Sequence, residues 1–255
     1  MAFFGRKNCD ICGSKIGMLG NRKLEDGNLC KDCAKHLSPF FSDRRRSSVA
    51  DIKAQMDYRE ANKTQVGAFN VTRTLGVGTK ILLDEDEAKF IVSSSRRWQE
   101  ENPDVLDYSQ VTGCDLEINE SQTELKRKDR QGNEVSYNPP RRVYHYDFWM
   151  TIHVNHPYFS EIRFKLNSSA IDIEPPQGRI FIQGGADVGR RSAEYQQCEA
   201  TAEDIKETFT KVREGVRKDI ATANAPKTAQ TCSFCGATTI PDMQGRCEFC
   251  GGAIS

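Results

Sequence analysis

The chain has 255 residues, of which 37% are hydrophobic and 28% charged, and its 36 basic and 36 acidic side chains give a formal net charge of zero. This balance argues against binding to nucleic acid through the electrostatics of the whole molecule. No stretch approaches the roughly 20 apolar residues that cross a bilayer, and the start, MAFFGRKNCD, has no apolar core of signal-peptide length, so we expect a cytoplasmic protein.

The ten cysteines are distributed unevenly, because eight of them form four Cys-x-x-Cys pairs, two pairs near each end of the chain. In a reducing compartment such pairs are more often metal ligands or redox groups than disulfides. A thioredoxin-like redox site requires a βαβ setting, which surrounds none of the pairs. We therefore predict two zinc sites. Their ligands are Cys9, Cys12, Cys30 and Cys33 at one end, and Cys232, Cys235, Cys247 and Cys250 at the other.

The ligand type determines what these sites do. A two-residue spacing lets one tight turn present two sulfurs to the same ion, at sulfur–zinc distances of about 2.3 Å. Iron also binds four thiolates, but zinc is the commoner occupant of finger-like modules. A shell of four thiolates has no open position for water or substrate, so we expect both sites to be structural.

The first module, from residue 9 to about 40, has 17 residues between its cysteine pairs, a spacing typical of zinc sites. Gly13 follows the first pair and permits the positive φ that such a turn often requires. The second pair, in DGNLCKDCAKHL, runs directly into a helix-forming stretch. A turn, a hairpin and ligands on the first turn of a helix are the arrangement of treble-clef fingers, which this module resembles.

Residues 47–62 are predicted to form a connecting helix. Ser48 can cap it together with Asp51. Apolar residues recur on one face at Val49, Ile52 and Met56. Such a face indicates that the helix docks on another part of the protein.

From about residue 68 to 166 the hydrophobic pattern has the period of two typical of strands. KILLD and KFIVS flank an acidic turn, Asp84 to Glu87, and predict a hairpin; the turn lacks the glycine and distant glutamate of a calcium loop. Later strands are apolar on one face only, which indicates an antiparallel, half-buried sheet. Their apolar positions are Cys114, Leu116 and Ile118, then Tyr144, Tyr146, Phe148 and Met150, and finally Ile162, Phe164 and Leu166.

Residues 167–190 contain Pro-Pro and Gly-Gly pairs and are predicted to form a long loop with one short apolar piece, RIFIQ. One long helix then closes the sheet domain, with a capping-box-like start at Thr201 and Asp204. Its apolar positions follow at helical spacing at Ile205, Phe209, Val212, Val216 and Ile220. The polar, proline-broken stretch ATANAPKTAQ is typical of a linker.

The last module has 11 residues between its cysteine pairs, and glycine follows each pair, at Gly236 and Gly251. Two such knuckles facing each other resemble a compact zinc ribbon. A segment of about 24 residues buries too little apolar surface to fold alone. Zinc binding to such peptides contributes about 10–16 kcal/mol, so the metal would act as the core.

The segments CDICGSKIGMLGNRKLEDGNLCKDCAKHLSPF and ADIKAQMDYRE, within about the first 65 residues, resemble an uncharacterised bacterial family defined by an N-terminal four-cysteine finger. That resemblance implies a bacterial source and zinc binding, and it implies no established activity. The middle, with KILLDEDEAKFIVS, DYSQVTGCDLEI and a closing amphipathic helix, is similar to bacterial pleckstrin-homology-like domains in the order of its elements.

DNA binding is one alternative function. The 17-residue spacing and GNLCKDC are similar to GATA-type fingers, and Arg44, Arg45 and Arg46 follow where those fingers carry a basic tail. Residues 1–46 carry ten basic and five acidic side chains. The stretch between the pairs lacks the tryptophan–arginine segment of GATA fingers, and four thiolates with one zinc lower the local charge by about two.

A second alternative is binding of inositol phosphates or an anionic membrane surface through the basic hairpin 126–142. Its basic residues are Lys126, Arg127, Lys128 and Arg130 at the predicted tip, with Arg141 and Arg142 nearby. The competing interpretation is an exposed turn kept soluble by its charge.

Three histidines, His145, His153 and His156, lie on or near one predicted hairpin, and the first two share a strand face with Trp149. No carboxylate pairs with them at motif spacing, so we expect them to be structural or solvent-facing. The sequence has no phosphate-cradling glycine-rich loop and no nucleophile elbow, and nothing in it favours an enzyme.

We therefore predict an α+β, non-enzymatic adaptor whose sheet domain binds a peptide or protein partner and takes no small-molecule substrate. Cys114, facing the core, and Cys198 should be free thiols. The predicted domains are a zinc finger (1–42), a connecting helix (43–66), a pleckstrin-homology-like domain with its closing helix (67–222), a linker (223–231) and a zinc ribbon (232–255).

Overall fold

The computed structural model describes residues 7–17, 19–174, 190–223, 229–242 and 245–254. The chain divides into two compact units, Met1–Arg213 and Glu214–Ser255. Helices and sheets both occur, and the paired strands are antiparallel. This confirms the predicted mixture of helices and antiparallel sheets.

The first unit begins with a small finger followed by a long helix. The finger contains strands β1 (Arg22–Lys23) and β2 (Asn28–Leu29) and one helical turn, α1 (Lys31–Ala34). A short 3-10 helix, Arg44–Arg46, leads into helix α2, Val49–Ala68.

Helix α2 begins where the sequence predicts and ends later. The Ser48 hydroxyl accepts a hydrogen bond from the Asp51 backbone N–H, and the Asp51 carboxylate accepts one from the Ser48 N–H at 2.8 Å, which completes a capping box. The helix continues past the predicted end at Asn62 to Ala68. Its last turns pack against a sheet, a contact that the helix's own sequence does not reveal.

The first sheet has the strand order β3-β4-β5-β6. Its strands span Arg73–Leu75, Lys80–Asp84, Lys89–Ser93 and Leu106–Asp107. One helical turn, α3 (Trp98–Glu101), precedes β6. The predicted hairpin is confirmed, since β4 and β5 pair with Leu82 opposite Ile91. In its acidic turn the Asp84 carboxylate accepts a hydrogen bond from the Glu87 N–H at 3.2 Å.

The second sheet is built around one long strand. Its strands are β7 (Val111–Lys128), β8 (Glu134–Val154), β9 (Glu161–Lys165) and β10 (Ile171–Ile173). A 3-10 turn, Tyr108–Gln110, precedes β7. Strand β8 pairs with β7 along one edge and with β9 and β10 along the other, so that Met150 lies between Leu116 and Phe164. The predicted alternation of apolar residues is confirmed in these strands.

The prediction of a loop over residues 167–190 is wrong for β10, which pairs with β8. Three residues are too few to show a period of two. Before them lies a buried side chain that bonds to β8. Asn167 accepts a hydrogen bond from the Phe148 N–H at 2.9 Å and donates to the Tyr146 carbonyl at 2.9 Å, where β9 ends. The RIFIQ piece lies outside the described residues.

Helix α4, Ala193–Ala223, closes the core that both sheets share. The first sheet contributes Leu75, Ile81, Leu83, Phe90, Val92 and Leu106; the second contributes Tyr146, Phe148, Met150, Ile152, Ile162 and Phe164; and α4 contributes Tyr195, Ala202, Ile205 and Phe209. The alternating faces of the strands therefore enclose one apolar interior.

The predicted start of the closing helix at Thr201 is wrong, because α4 begins at Ala193. The Thr201 hydroxyl donates a hydrogen bond at 2.7 Å to the carbonyl of Gln197, four residues earlier. Threonine makes this bond when it lies within a helix and not at its start. Tyr195 packs the added turns against the core, since its ring lies 4.9 Å from the ring of Phe148. The helix ends at Ala223, so it includes the first residues of the predicted linker, whose residues 224–228 lie outside the described chain.

Helix α2 joins the finger to the first sheet through apolar contacts at both of its ends. Its first turns complete the finger core, where Ile52 packs with Leu24 and Leu29. Its last turns cover the outer face of the first sheet, where Val66 packs with Leu82 and Ile91.

A buried ion pair lies between these two apolar contacts of α2. The Arg59 guanidinium is 2.8 Å from the Asp104 carboxylate, and the two residues are only 8% and 1% exposed. Ser38, at the end of the finger, donates a hydrogen bond to the same carboxylate at 2.7 Å. Asn62 donates to the Pro103 carbonyl and accepts from the Val105 N–H. Finger, helix and sheet thus meet at one carboxylate.

Replacing Asp104 by alanine is expected to destabilise the first unit by about 3–5 kcal/mol, because it leaves the Arg59 guanidinium buried without its partner. The free energy of unfolding in urea checks this. The matched control is Glu100→Ala, which removes a carboxylate from the exposed pair with Arg97 and should change stability by less than about 1 kcal/mol. Equal effects of the two substitutions would contradict the role assigned to Asp104.

Candidate metal centres

The first cysteine cluster is assembled from a turn and a helix start. The Gly13 N–H donates to the Cys9 carbonyl at 2.8 Å, and Gly13 has the predicted positive φ of +72°. Cys30 caps α1, and its sulfur accepts a hydrogen bond from the Cys33 N–H at 3.3 Å. Two ligands therefore come from a knuckle and two from the first turn of a helix.

The four sulfurs of this cluster have the separations that a tetrahedral ion requires. All four lie within 4.8 Å of one another, and the Cys12 and Cys30 sulfurs are 3.8 Å apart. A tetrahedron with metal–sulfur bonds of about 2.3 Å has an edge of about 3.8 Å. A disulfide bond is about 2.05 Å long, and each of the ten cysteines is free. The geometry therefore fits a cation held between thiolates.

The four thiols of the first cluster do not ionise equally easily. Hydrogen bonds from the Ser14 side chain and backbone lower the pKa of the Cys12 thiol to about 6. Burial and then the neighbouring cysteine side chains raise the pKa of Cys33. Adjacent sulfurs resist a second negative charge unless a cation lies between them. A divalent cation removes that resistance and lets all four thiols ionise.

The second cluster, in the second unit, consists of two knuckles with the same hydrogen bonds. The Gly236 N–H donates to the Cys232 carbonyl and the Gly251 N–H to the Cys247 carbonyl, both at 2.8 Å. Both glycines have a positive φ, +70° and +72°. Strands β11 (Gln230–Thr231) and β12 (Thr238–Thr239) form a short hairpin on the first knuckle.

The sulfur separations here again match a tetrahedron's edges. They are 3.5 Å between Cys232 and Cys250 and 3.7 Å between Cys235 and Cys247. Hydrogen bonds from the backbone of Cys235 and Phe234 lower the pKa of Cys232 to about 7. The large apolar side chains lie outside: Phe234 is 74% exposed, Phe249 71% and Ile240 53%. Among its described residues the module thus has almost no apolar interior, and a metal would be its main source of cohesion.

Two of the three histidines, His145 and His153, lie beside carboxylates, which the sequence does not predict. His145 lies 2.7 Å from Asp172 and, through its other ring nitrogen, 2.7 Å from the Thr123 hydroxyl. His153 lies 2.8 Å from Asp115. These partners come from neighbouring strands, so no fixed spacing along the chain could reveal them. The contacts connect β7, β8 and β10 across one sheet face.

His156 has a different environment, because its ring stacks on Phe159 at 4.1 Å and burial lowers its pKa. In the described part of the chain, only the two cysteine clusters bring three or more potential metal ligands together.

The two predicted basic regions, Arg44 to Arg46 and the hairpin 126–142, differ in the contacts and exposure of their side chains. Arg46 lies 3.7 Å from Asp43 and points into solvent, whereas Arg44 is partly buried and burial lowers its pKa. At the hairpin 126–142, Arg127 and Arg141 both lie over the Tyr137 ring, at 5.9 and 4.7 Å, and Arg141 also pairs with Glu174. Other basic side chains near the tip are exposed: Lys126, Lys128 and Arg130.

Comparison with known proteins identifies only the first module. A family described as a domain of unknown function (DUF4428) matches residues 7–55, which comprise the finger and the start of α2. No curated protein and no solved structure matches the chain. Among the described helices, none combines the length and the apolar character needed to span a membrane.

Cys114 is expected to react slowly with thiol reagents in the folded protein. It packs against the shared core, and burial, followed by the charge of Asp115, raises its pKa to about 12. Its thiolate fraction at pH 8 should therefore be about a hundredth or less of that of an ordinary cysteine. Alkylation followed by mass spectrometry of the Cys114 peptide gives the reaction rate of Cys114 in native and in urea-unfolded protein, and the native rate should be much the lower. Equal rates in the two states would show that this orientation is wrong.

Proposed function

We propose that the protein is a non-enzymatic, zinc-binding adaptor that holds two structural zinc ions and binds a peptide or protein partner. The observation that carries the metal assignment is the set of sulfur separations, 3.8 Å in the first cluster and 3.5 and 3.7 Å in the second. We assign zinc to both clusters because it binds four thiolates in a tetrahedron and has no redox chemistry. The free state of each cysteine suits a reducing compartment such as the cytoplasm.

The structural role of both ions follows from their ligands. With four cysteines per ion, the coordination shell is closed and has no position for an activated water or a substrate. The residues that would bind zinc are Cys9, Cys12, Cys30 and Cys33 in the finger, and Cys232, Cys235, Cys247 and Cys250 in the ribbon. The ions would stabilise the finger and the ribbon, and the protein surface would bind the peptide or protein partner.

The sheet domain supports the interaction role. Two packed antiparallel sheets closed by α4 are in keeping with a pleckstrin-homology-like domain, a fold that uses its surface for recognition. The finger is tied to this domain through Arg59, Asp104 and Ser38. A partner could therefore contact finger and sheet together, which gives the first zinc ion a role in the shape of the binding surface.

Purified protein is expected to contain two zinc ions per chain by elemental analysis. Changing Cys232 and Cys235 to serine should remove one ion and disorder only the C-terminal tail that carries this cluster. Changing Cys9 and Cys12 to serine should also remove one ion, but should lower the unfolding temperature of the first unit, because the finger core includes Ile52 of α2. Iron in place of zinc, or fewer than two ions in metal-replete protein, would contradict the proposal.

DNA binding through residues 1–46 remains the principal competing function, and a pair of charge-matched variants separates it from the adaptor role. One variant changes Arg44, Arg45 and Arg46 to alanine; the other changes Lys126, Lys128 and Arg130. If DNA binding is the function, the first should weaken binding to a short duplex about tenfold or more, and binding should fall steeply with salt.

If the protein is an adaptor, it should bind the duplex only weakly and at low salt, and neither triple variant should change anything beyond that weak binding. The reason is charge: the formal +5 on residues 1–46 falls to about +3 once a zinc–thiolate site is included. Anionic liposomes added to the same series test the hairpin 126–142 as a membrane contact. Sequence-selective duplex binding at physiological salt that is lost only in the arginine variant would replace the adaptor role with DNA binding.

A further inference from the structure

A cavity of about 550 Å³ lies where the end of the finger meets the turn between β8 and β9. Its wall on one side is formed by Phe41, Asp43 and Arg46 with Asp51 of α2, and on the other by His156 and Tyr158. Cavities of about 300–1,000 Å³ suit a small molecule or the side chain of a peptide. Neither the cysteine clusters nor the basic regions include this site.

The cavity has an aromatic side. His156 stacks on Phe159 at 4.1 Å, and the Tyr58 ring lies 5.1 Å from His156 and 5.3 Å from Tyr158. Phe40, from the finger, packs against Phe159 at 5.5 Å. These contacts fix the rings before any ligand arrives, so a ligand does not have to order them.

The charges around these rings are mainly negative. Burial raises the pKa of the Tyr158 hydroxyl, and the carboxylates of Asp57 and Asp51 raise it further, so they place a negative potential at its end of the cavity. Burial lowers the pKa of His156, although the charge of Asp104 opposes this, and so favours the neutral form of its imidazole. The cation in the wall, Arg46, has a side chain that is 86% exposed and lies 3.7 Å from Asp43. This loose surface pair can rearrange.

We propose that this cavity binds the positively charged side chain of an arginine or lysine from a peptide partner. The inference rests on the proposed adaptor function and specifies the class of its partner. A guanidinium or ammonium group is attracted by the faces of aromatic rings and by the carboxylates of Asp43 and Asp51. The aliphatic stem of such a side chain packs on the same rings. Arg46 acts against the incoming cation, so its presence sets how tightly the peptide binds.

The site also depends on the first cysteine cluster. One wall belongs to the end of the finger, and the finger core is held by Cys9 and Cys33 together with Ile52 of α2. Loss of the metal from this cluster should therefore open that wall and abolish binding. Loss of the metal from the second cluster, in the other unit, should leave binding intact.

The test uses the full-length, zinc-loaded protein and capped tripeptides Gly-Arg-Gly, Gly-Lys-Gly and Gly-citrulline-Gly, followed by amide chemical shifts at low salt. The expected result is saturable, millimolar binding of the arginine and lysine peptides, with shifts in residues 43–51 and 156–160, and none with the neutral citrulline peptide. Asp43→Asn and Tyr158→Leu should each weaken binding about two- to fivefold. Arg46→Ala should tighten it by a similar factor.

Asp86→Asn is the matched control, because it removes one exposed carboxylate from the β4–β5 turn and should not change the affinity. A phosphoserine tripeptide that binds in place of the arginine peptide, with binding lost in Arg46→Ala, would overturn the inference, as would the absence of saturable shifts. Zinc content measured on the same samples separates the two proposals. Two ions per chain without peptide binding refutes only this inference, whereas fewer than two ions refutes the proposed function.

Discussion

Four cysteine sulfurs lie within 4.8 Å of one another at each end of the chain, and four thiolates so close together repel one another unless a cation lies between them. Backbone N–H groups point at several of these sulfurs, for example from Cys30 to Cys9 at 3.3 Å, and favour the charged form. The glycine turns at both clusters, and the helix start at the first, serve this requirement. In the ribbon, where Phe234 and Phe249 are exposed, little else would hold the chain together.

The finger differs from the ribbon because it is attached to a larger core. Its apolar residues continue into α2, and α2 continues onto the first sheet, where Val66 meets Leu82. The buried pair of Arg59 and Asp104 fixes this arrangement, because a charge of either sign left alone in that interior is unfavourable. These contacts join the first cysteine cluster to the finger wall of the cavity beside His156. Peptide binding in the cavity and metal binding in this cluster are therefore expected to be thermodynamically linked.

Local signals along the sequence predict much of this architecture. Cysteine spacing groups each set of four sulfurs, Ser48 and Asp51 predict the start of α2, and the KILLD and KFIVS runs predict the β4–β5 hairpin. Each of these features depends on residues that lie a few positions apart, or on cysteine pairs separated by the short intervals typical of zinc sites.

Features that depend on distant residues are not predicted from the sequence. Asn167, just before β10, bonds to the backbone of β8, Tyr195 of α4 packs against Phe148, and Asp104 pairs with Arg59 of α2. The histidines find carboxylates on adjacent strands for the same reason. Their partners become neighbours only after the sheets have formed, so neither periodicity nor motif spacing carries the information.

Both clusters are proposed to be closed shells of sulfur around zinc, and zinc K-edge X-ray absorption of the purified protein measures that shell directly. We predict four sulfur neighbours at about 2.3 Å for both ions, with no nitrogen or oxygen in the averaged first shell. A first shell that contains nitrogen or oxygen, or fewer than four sulfurs per ion, would mean that at least one cluster is not the closed structural site described here.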